Sequence, residues 1–141
     1  DKVICRELEA IPQTLTSVKG LGPISAAGII AEIGDIKRFK DQAALAQYAG
    51  LTWTRYQSGD FDAEERRLTK SGNRYLRYYL VQAANSLRVH NEEYKAYYQS
   101  KYHEVTKHQH KRALVLTARK LVRLVFALLS KGQIYKGTVM K

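Results

Sequence analysis

Leu15-Thr16-Ser17-Val18-Lys19-Gly20-Leu21-Gly22-Pro23-Ile24-Ser25-Ala26 is the stretch from which the fold of this 141-residue chain is read. The glycines on either side of Leu21 supply a tight turn, and Pro23 suits the first position of a helix, so one helix stops here and another starts. The second helix is predicted over Ile24–Ile33. Its small residues Ser25, Ala26, Ala27, Gly28 and Ala31 let another backbone approach closely, and Gly34 is expected to end it as a left-handed cap. Upstream, Val3, Ile4, Leu8, Ile11 and Leu15 recur at helical spacing over residues 3–16, with Pro12 making Ile11 a boundary between two short helices. Two helices joined in this way expose successive backbone N–H groups, and the second adds its positive N-terminus. Such a turn binds a phosphate without reading a base.

Working outward, the chain reads as mainly α. Asp41 is the expected N-cap for a short helix through Tyr48, closed by Gly50. From Leu51 to Gln57 the pattern turns to alternation with Thr, Trp, Arg and Tyr, which predicts an extended segment or one arm of a small β-hairpin within residues 51–70. Asp60–Lys70 is highly charged and reads as loop with a possible return strand. A helix is expected from about Asn73 to His90, with Leu76, Leu80, Ala83, Ala84 and Leu87 as its apolar stripe. Asn91–His103 reads as a Tyr-rich helix, followed by a polar link through His110. In the last helix Leu114, Ala118, Leu121, Val125 and Leu128 repeat until Gly132, and the tail beyond is expected to fray.

Composition narrows the partners. Lys plus Arg number 24 against 13 Asp plus Glu, a net charge of +11, which points to a polyanion bound with counterion release. No run approaches the roughly 18 uncharged apolar residues of a spanning helix, and no signal-peptide pattern opens the chain, so a cytoplasmic protein with no membrane partner is expected. The single Cys5 excludes an internal disulfide and a cysteine-cluster metal site, and reads as a packing residue. The start at Asp1-Lys2-Val3, inside a helical pattern and without Met, suggests a fragment of something longer.

The run Leu15 to Ala26 resembles the helix-hairpin-helix DNA-binding motif, with Lys19 standing where Pro is frequent. An αα-turn with a glycine cap is the plain alternative. Further along, Ser58 sits beside Gly59, where a ligand can come close to the hydroxyl, and Arg55 precedes it. Downstream, Arg66, Arg67, Lys70, Arg74 and Arg77 put five cations into twelve residues with no acid among them. Guanidinium groups bind phosphodiester oxygens in pairs and stabilise charge growing on them. Arg74, Arg77 and Arg88 share one helix face, and Arg112, Arg119 and Arg123 another; solvated charge and backbone binding explain such stripes equally well.

Taken in order, Val18-Lys19-Gly20-Leu21-Gly22-Pro23, then Ala31-Glu32-Ile33-Gly34-Asp35-Ile36 with Phe39, then Leu45-Ala46-Gln47-Tyr48-Ala49-Gly50-Leu51 resemble one transposase domain. Gln57-Ser58-Gly59, Thr69-Lys70-Ser71-Gly72-Asn73-Arg74-Tyr75-Leu76-Arg77 and Ala118-Arg119-Lys120-Leu121 continue the series. The whole is similar to the C-terminal domain of the DEDD-type insertion-sequence transposases, the IS one-ten family of RNA-guided recombinases, over roughly Leu15–Leu129. The resemblance implies that Ser58 is the recombinase serine, forming a covalent phosphoserine with DNA. It also implies an N-terminal domain, absent here, with four acidic residues that bind Mg²⁺. A covalent ester conserves bond energy for religation. A guide RNA and assembly as a homo-oligomer on DNA are implied as well, in a prokaryotic, nucleoid-associated setting. Asp60, Asp62, Glu64 and Glu65 depart from the family pattern, making a loop acidic that is often basic in the family.

The expected organisation is the end of a helical linker over 1–16, the domain itself over 17–131 and a tail over 132–141. Within the domain the hairpin spans 15–34, the serine segment 51–72 and the basic helices 73–131. Ser58 is the candidate nucleophile; Lys19, Gly20, Leu21, Gly22, Arg55, Arg66, Arg67, Lys70, Arg74, Arg77, Arg119 and Arg123 are the candidate DNA-binding residues; no metal ligand or cofactor is assigned to this chain. Tyr75, Tyr78, Tyr79, Tyr94, Tyr97, Tyr98 and Tyr102 fit core and groove packing better than a tyrosine nucleophile, and His103, His108 and His110 match no zinc spacing. The chain alone is expected to bind DNA without cutting it. Two rival readings are a non-catalytic helix-hairpin-helix module of a repair or recombination protein and an RNA-binding scaffold.

Overall fold

A computed structural model describes residues 15–52 and 72–131 of the chain. A 3-10 turn, Leu15–Ser17, leads into five α-helices: α1 Pro23–Ile33, α2 Gln42–Ala49, α3 Arg74–His90, α4 Glu92–Tyr102 and α5 Gln109–Lys131, with a second 3-10 turn at Ile36–Arg38. Among the described residues there is no strand. Residues 3–14 of the helices predicted over 3–16, and residues 53–70 of the hairpin predicted within 51–70, lie outside the described residues.

Each boundary has a local cause. Gly22 is the N-cap of α1 and Pro23 its first residue, as the turn chemistry requires. Gly34 does close α1 with a positive φ of 71°, but its ψ of −123° takes it out of the left-handed helical region, and its N–H reaches back to Ile30. At α2 both caps are as the sequence predicts: the Asp41 carboxylate accepts from Ala44 N–H at 2.9 Å, and Gly50 is left-handed at φ 77°, ψ 25°. The side chain of Asn73 caps α3 by accepting from the N–H groups of Tyr75 and Leu76. Asn91 does the same for α4, from Glu93 and Tyr94. α5 starts at Gln109, earlier than the polar link through His110 predicts. His108, at φ 54°, turns the chain so that its carbonyl accepts from Arg112 N–H and the helix begins inside the polar stretch.

The core forms where the apolar stripes meet. α3 and α5 are the two long helices and pack on each other; α4 lies against both, α1 against α3, and α2 against α5. Leu76, Leu80, Ala83, Ala84 and Leu87 of α3 are all buried, and Ala118, Leu121, Val125 and Leu128 of α5 with them. Ile29 and Ile33 close the α1 side. Small residues permit the approach of α1: a Cβ on Gly28 would stand 2.6 Å from the ring of Tyr79. α1 runs antiparallel to α3, since Gly20 neighbours Leu87 and His90, Gly28 meets Tyr79, and Glu32 bonds Asn73.

Candidate nucleic-acid interface

The glycine turn is built from the inside out. Leu15, Val18 and Leu21 are buried, with Val18 N–H bonded to Leu15 O at 3.1 Å and Leu21 N–H to Val18 O at 3.0 Å. Gly20 has a φ of 97°, and a Cβ there would come within 3.2 Å of the Leu87 side chain. Its glycine is therefore required by backbone conformation and by α3 packing together. Gly22 is different. Its φ of −78° and ψ of 169° suit any residue, and among the described residues no atom lies within 4 Å of a Cβ built on it. Lys19 and Gly22 are exposed. The N–H groups of Ile24 and Ser25, in the first turn of α1, have no intrahelical acceptor by construction. A cation, two outward amides and an open glycine thus share one edge, an arrangement that suits an anion.

Asn91 holds that turn in place. It is buried, and its side-chain N–H donates to Lys19 O at 2.9 Å while its oxygen caps α4. Leu21, a candidate contact, presents its backbone only, because its side chain belongs to the core.

At the opposite end of α3 the structure brings together the residues that flank the serine segment. Leu51 N–H donates to Ala46 O at 2.9 Å, and Asn73 N–H to Tyr48 O at 2.6 Å. Gly72 lies across the C-terminus of α2 with φ 111°, so close that a Cβ would meet Tyr48 O at 2.7 Å. Asn73 also donates to Glu32 Oε1 at 2.9 Å and to the Tyr48 hydroxyl at 3.2 Å. Those bonds from Asn73, followed by the Arg38 guanidinium 4.9 Å from the ring centroid, hold the Tyr48 phenol below its ordinary pKa. Ser58 itself, with Arg55, Arg66, Arg67 and Lys70, lies outside the described residues.

The remaining candidate cations divide into two kinds. Arg77 donates to Ala49 O at 3.3 Å and so satisfies the end of α2. Arg119 donates to Gln42 Oε1 at 2.6 Å; burial first, then the neighbouring Arg123, depresses its pKa. Arg88 bonds Asn85, and Arg112 bonds Glu104, so two further members of the predicted stripes have intramolecular partners. Arg74 and Arg123 stay exposed, Arg74 with its guanidinium against the ring and hydroxyl of Tyr75. His110 pairs through Nδ1 with the Tyr98 hydroxyl at 2.6 Å, and among the described residues no cluster of three potential metal ligands occurs.

The roles of Asn73 and Asn91 were legible only in part. Each stands before a helical pattern, which signals a cap, but nothing in the local sequence points to Glu32 and Tyr48, or to Lys19, as their tertiary partners. The exposure of Tyr75 and Tyr78 likewise departs from the packing predicted for the tyrosines.

Comparison with known proteins adds a family match and three relatives. Residues 12–99 match the profile of the family described as "Transposase IS116/IS110/IS902 family". The chain is 31% identical over 132 residues to the insertion element IS110 uncharacterized 43.6 kDa protein of Streptomyces coelicolor, covering 92% of this chain and 32% of that protein. It is also 31% identical over 134 residues to the putative transposase y4rJ of Sinorhizobium fredii, covering 92% of this chain and 33% of the relative. The insertion element IS116 uncharacterized 44.8 kDa protein of Streptomyces clavuligerus is 28% identical over 123 residues. The chain therefore spans about a third of the length of these relatives.

Proposed function

The chain belongs to the transposase IS116/IS110/IS902 family, and from that premise we propose that it is the DNA-binding, serine-bearing part of an insertion-sequence transposase acting in strand cleavage and exchange. Gly22 carries the reading. Among the described residues nothing requires a glycine there, for its conformation is ordinary and the space over it is open, yet a lysine stands three residues before it and the free amides of a helix start follow it. A residue that leaves room for an outside backbone is what a phosphate grip calls for.

On this reading the turn acts as the second half of a helix-hairpin-helix and holds one phosphate of a DNA strand, while the Ser58 hydroxyl attacks another, breaking one of its ester bonds to deoxyribose so that the sugar oxygen leaves as a free hydroxyl and a covalent phosphoserine remains. The flanks of the serine segment stand apart from the turn. The turn lies by His90 and the flanks of the serine segment lie by Asn73, so the 17 residues of α3 separate them, about 25 Å at 1.5 Å per residue. That is roughly seven phosphates at 3.4 Å per strand step. An acidic Mg²⁺-binding domain elsewhere in the full-length protein would deprotonate Ser58, and a guide RNA and a homo-oligomeric assembly on DNA belong to the same proposal.

The test has two arms in the full-length protein. Gly22→Val, whose Cβ meets no neighbour among the described residues, weakens binding to all duplex sequences alike; unchanged affinity rejects the grip. Ser58→Ala abolishes recombination and the covalent protein–DNA adduct with binding intact, and an active Ser58→Ala enzyme rejects the nucleophile.

A further inference from the structure

The outer face of α3 has no role in the fold or in the phosphate grip. Among the described residues, four large apolar side chains stay more than half exposed, and three lie on one stripe of α3: Tyr75 at 56%, Tyr78 at 58% and Val89 at 52%. The stripe continues through exposed Gln82 and Asn85, the spacing of a single helix face. It is uncharged in a chain of net charge +11. α3 as a whole has Arg74, Arg77 and Arg88 and no acid. Glu32, which reaches the start of this helix, is engaged by the Asn73 amide.

The two exposed rings are held in place. Tyr79, turned against α1 at Gly28, meets the Tyr78 ring edge-on with centroids 5.4 Å apart. Arg74 stands 5.1 Å from the centroid of the Tyr75 ring and bonds its hydroxyl at 3.2 Å. A face built only for phosphates would carry cations along its length. This one has two rings at the start of α3 with the exposed Arg74 beside them and uncharged side chains beyond, the composition that binds unpaired strands: rings stack on bases of any kind while arginine takes the backbone.

We infer that Tyr75 and Tyr78, with Arg74 beside them, form a stacking platform for the unpaired bases of a DNA strand. The inference rests on the DNA-binding reading above and adds the form of DNA that this face takes. A duplex keeps its bases stacked on one another, so it offers the two rings nothing.

The experiment measures binding of the full-length protein to oligo-dT, to a duplex of the same length and to oligo-U. Wild type is compared with Tyr75→Ala/Tyr78→Ala and Tyr75→Phe/Tyr78→Phe over a series of salt concentrations. The alanine pair loosens oligo-dT binding by at least about tenfold. The phenylalanine pair, which keeps the rings, stays within about twofold of wild type, duplex affinity does not move, and the salt dependence is unchanged because no phosphate contact is lost. Equal loss for duplex and single strand, a phenylalanine pair as weak as the alanine pair, loss confined to oligo-U, or a change in oligomeric mass in place of a change in binding overturns the platform. Wild-type protein that binds no DNA at all overturns the DNA reading itself; wild type that binds both forms regardless of the tyrosines overturns the platform alone.

Discussion

The side-chain amide of Asn91 donates to the backbone carbonyl of Lys19 at 2.9 Å, tying the glycine turn to a residue 72 positions along the chain. The same side chain caps α4 through its oxygen, so one buried residue sets both the start of α4 and the position of the turn. Replacing it with alanine removes an N-cap, at about 1 kcal/mol, and a buried hydrogen bond, at about another 1 kcal/mol. Asn91→Ala therefore lowers the unfolding free energy by about 2 kcal/mol, read as a shifted denaturant midpoint at constant slope. Asn91→Asp keeps the caps and loses the donor, so it unfolds less easily than the alanine variant yet binds duplex DNA more weakly than wild type. Wild-type affinity in Asn91→Asp would show that this bond does not position the turn.

Gly72 tests the frame around the serine segment. At φ 111° with Tyr48 O only 2.7 Å from a Cβ position, an added methyl meets backbone that has no rotamer to escape into. Gly72→Ala is expected to cost at least about 2 kcal/mol. Recombination by the full-length enzyme falls with it although Ser58 is untouched, and a melting temperature equal to wild type contradicts this.

Arg123 and Lys19 are exposed, whereas Arg77 and Arg119 have carbonyl partners on α2. Arg123→Ala and Lys19→Ala each reduce the slope of log affinity against log salt by about 0.9 if they contact phosphates, with stability unchanged to within about 0.5 kcal/mol. Arg77→Ala does the opposite, losing about 1 kcal/mol of stability with the slope preserved. Titrations at several salt concentrations beside chemical unfolding separate the two groups, and identical behaviour of all four would remove the distinction.

Gly28 sets helix propensity against packing. Alanine in the middle of α1 gains up to about 1 kcal/mol over glycine, but its methyl would lie 2.6–2.7 Å from three atoms of the Tyr79 ring. Overpacking of this kind costs about 1–3 kcal/mol, so Gly28→Ala is expected to destabilise, and Tyr79→Leu in the same chain to restore most of the loss. Thermal unfolding of the single and double variants decides it; a stabilised Gly28→Ala would mean that α1 and α3 can part without penalty.

Much of the fold was legible because its signals are local. Asp41 and Gly50 bracket α2 by side-chain capping and a left-handed glycine, and the stripe of α3 from Leu76 to Leu87 is buried residue by residue. The site was legible as a set of residue types and not as a geometry. Gly20 and Gly22 read alike in the sequence, but the first is required by its φ and by Leu87, while the second leaves open space. Arg74, Arg77, Arg119 and Arg123 also read alike, and tertiary partners turn two of them inward to hydrogen-bond acceptors on α2.

By itself the sequence determined the helices, their caps and the basic charge of the chain, because helix periodicity, capping and net charge depend on residues within a turn or two or on none in particular. Only the tertiary structure decided which equivalent-looking residues face outward, and that Asn91 and Asn73 would pin the turn and the serine flanks to opposite ends of α3. Those outcomes depend on partners 72 and 25 positions away, and contacts over such separations exist only once the apolar stripes of α1, α3 and α5 have been buried together.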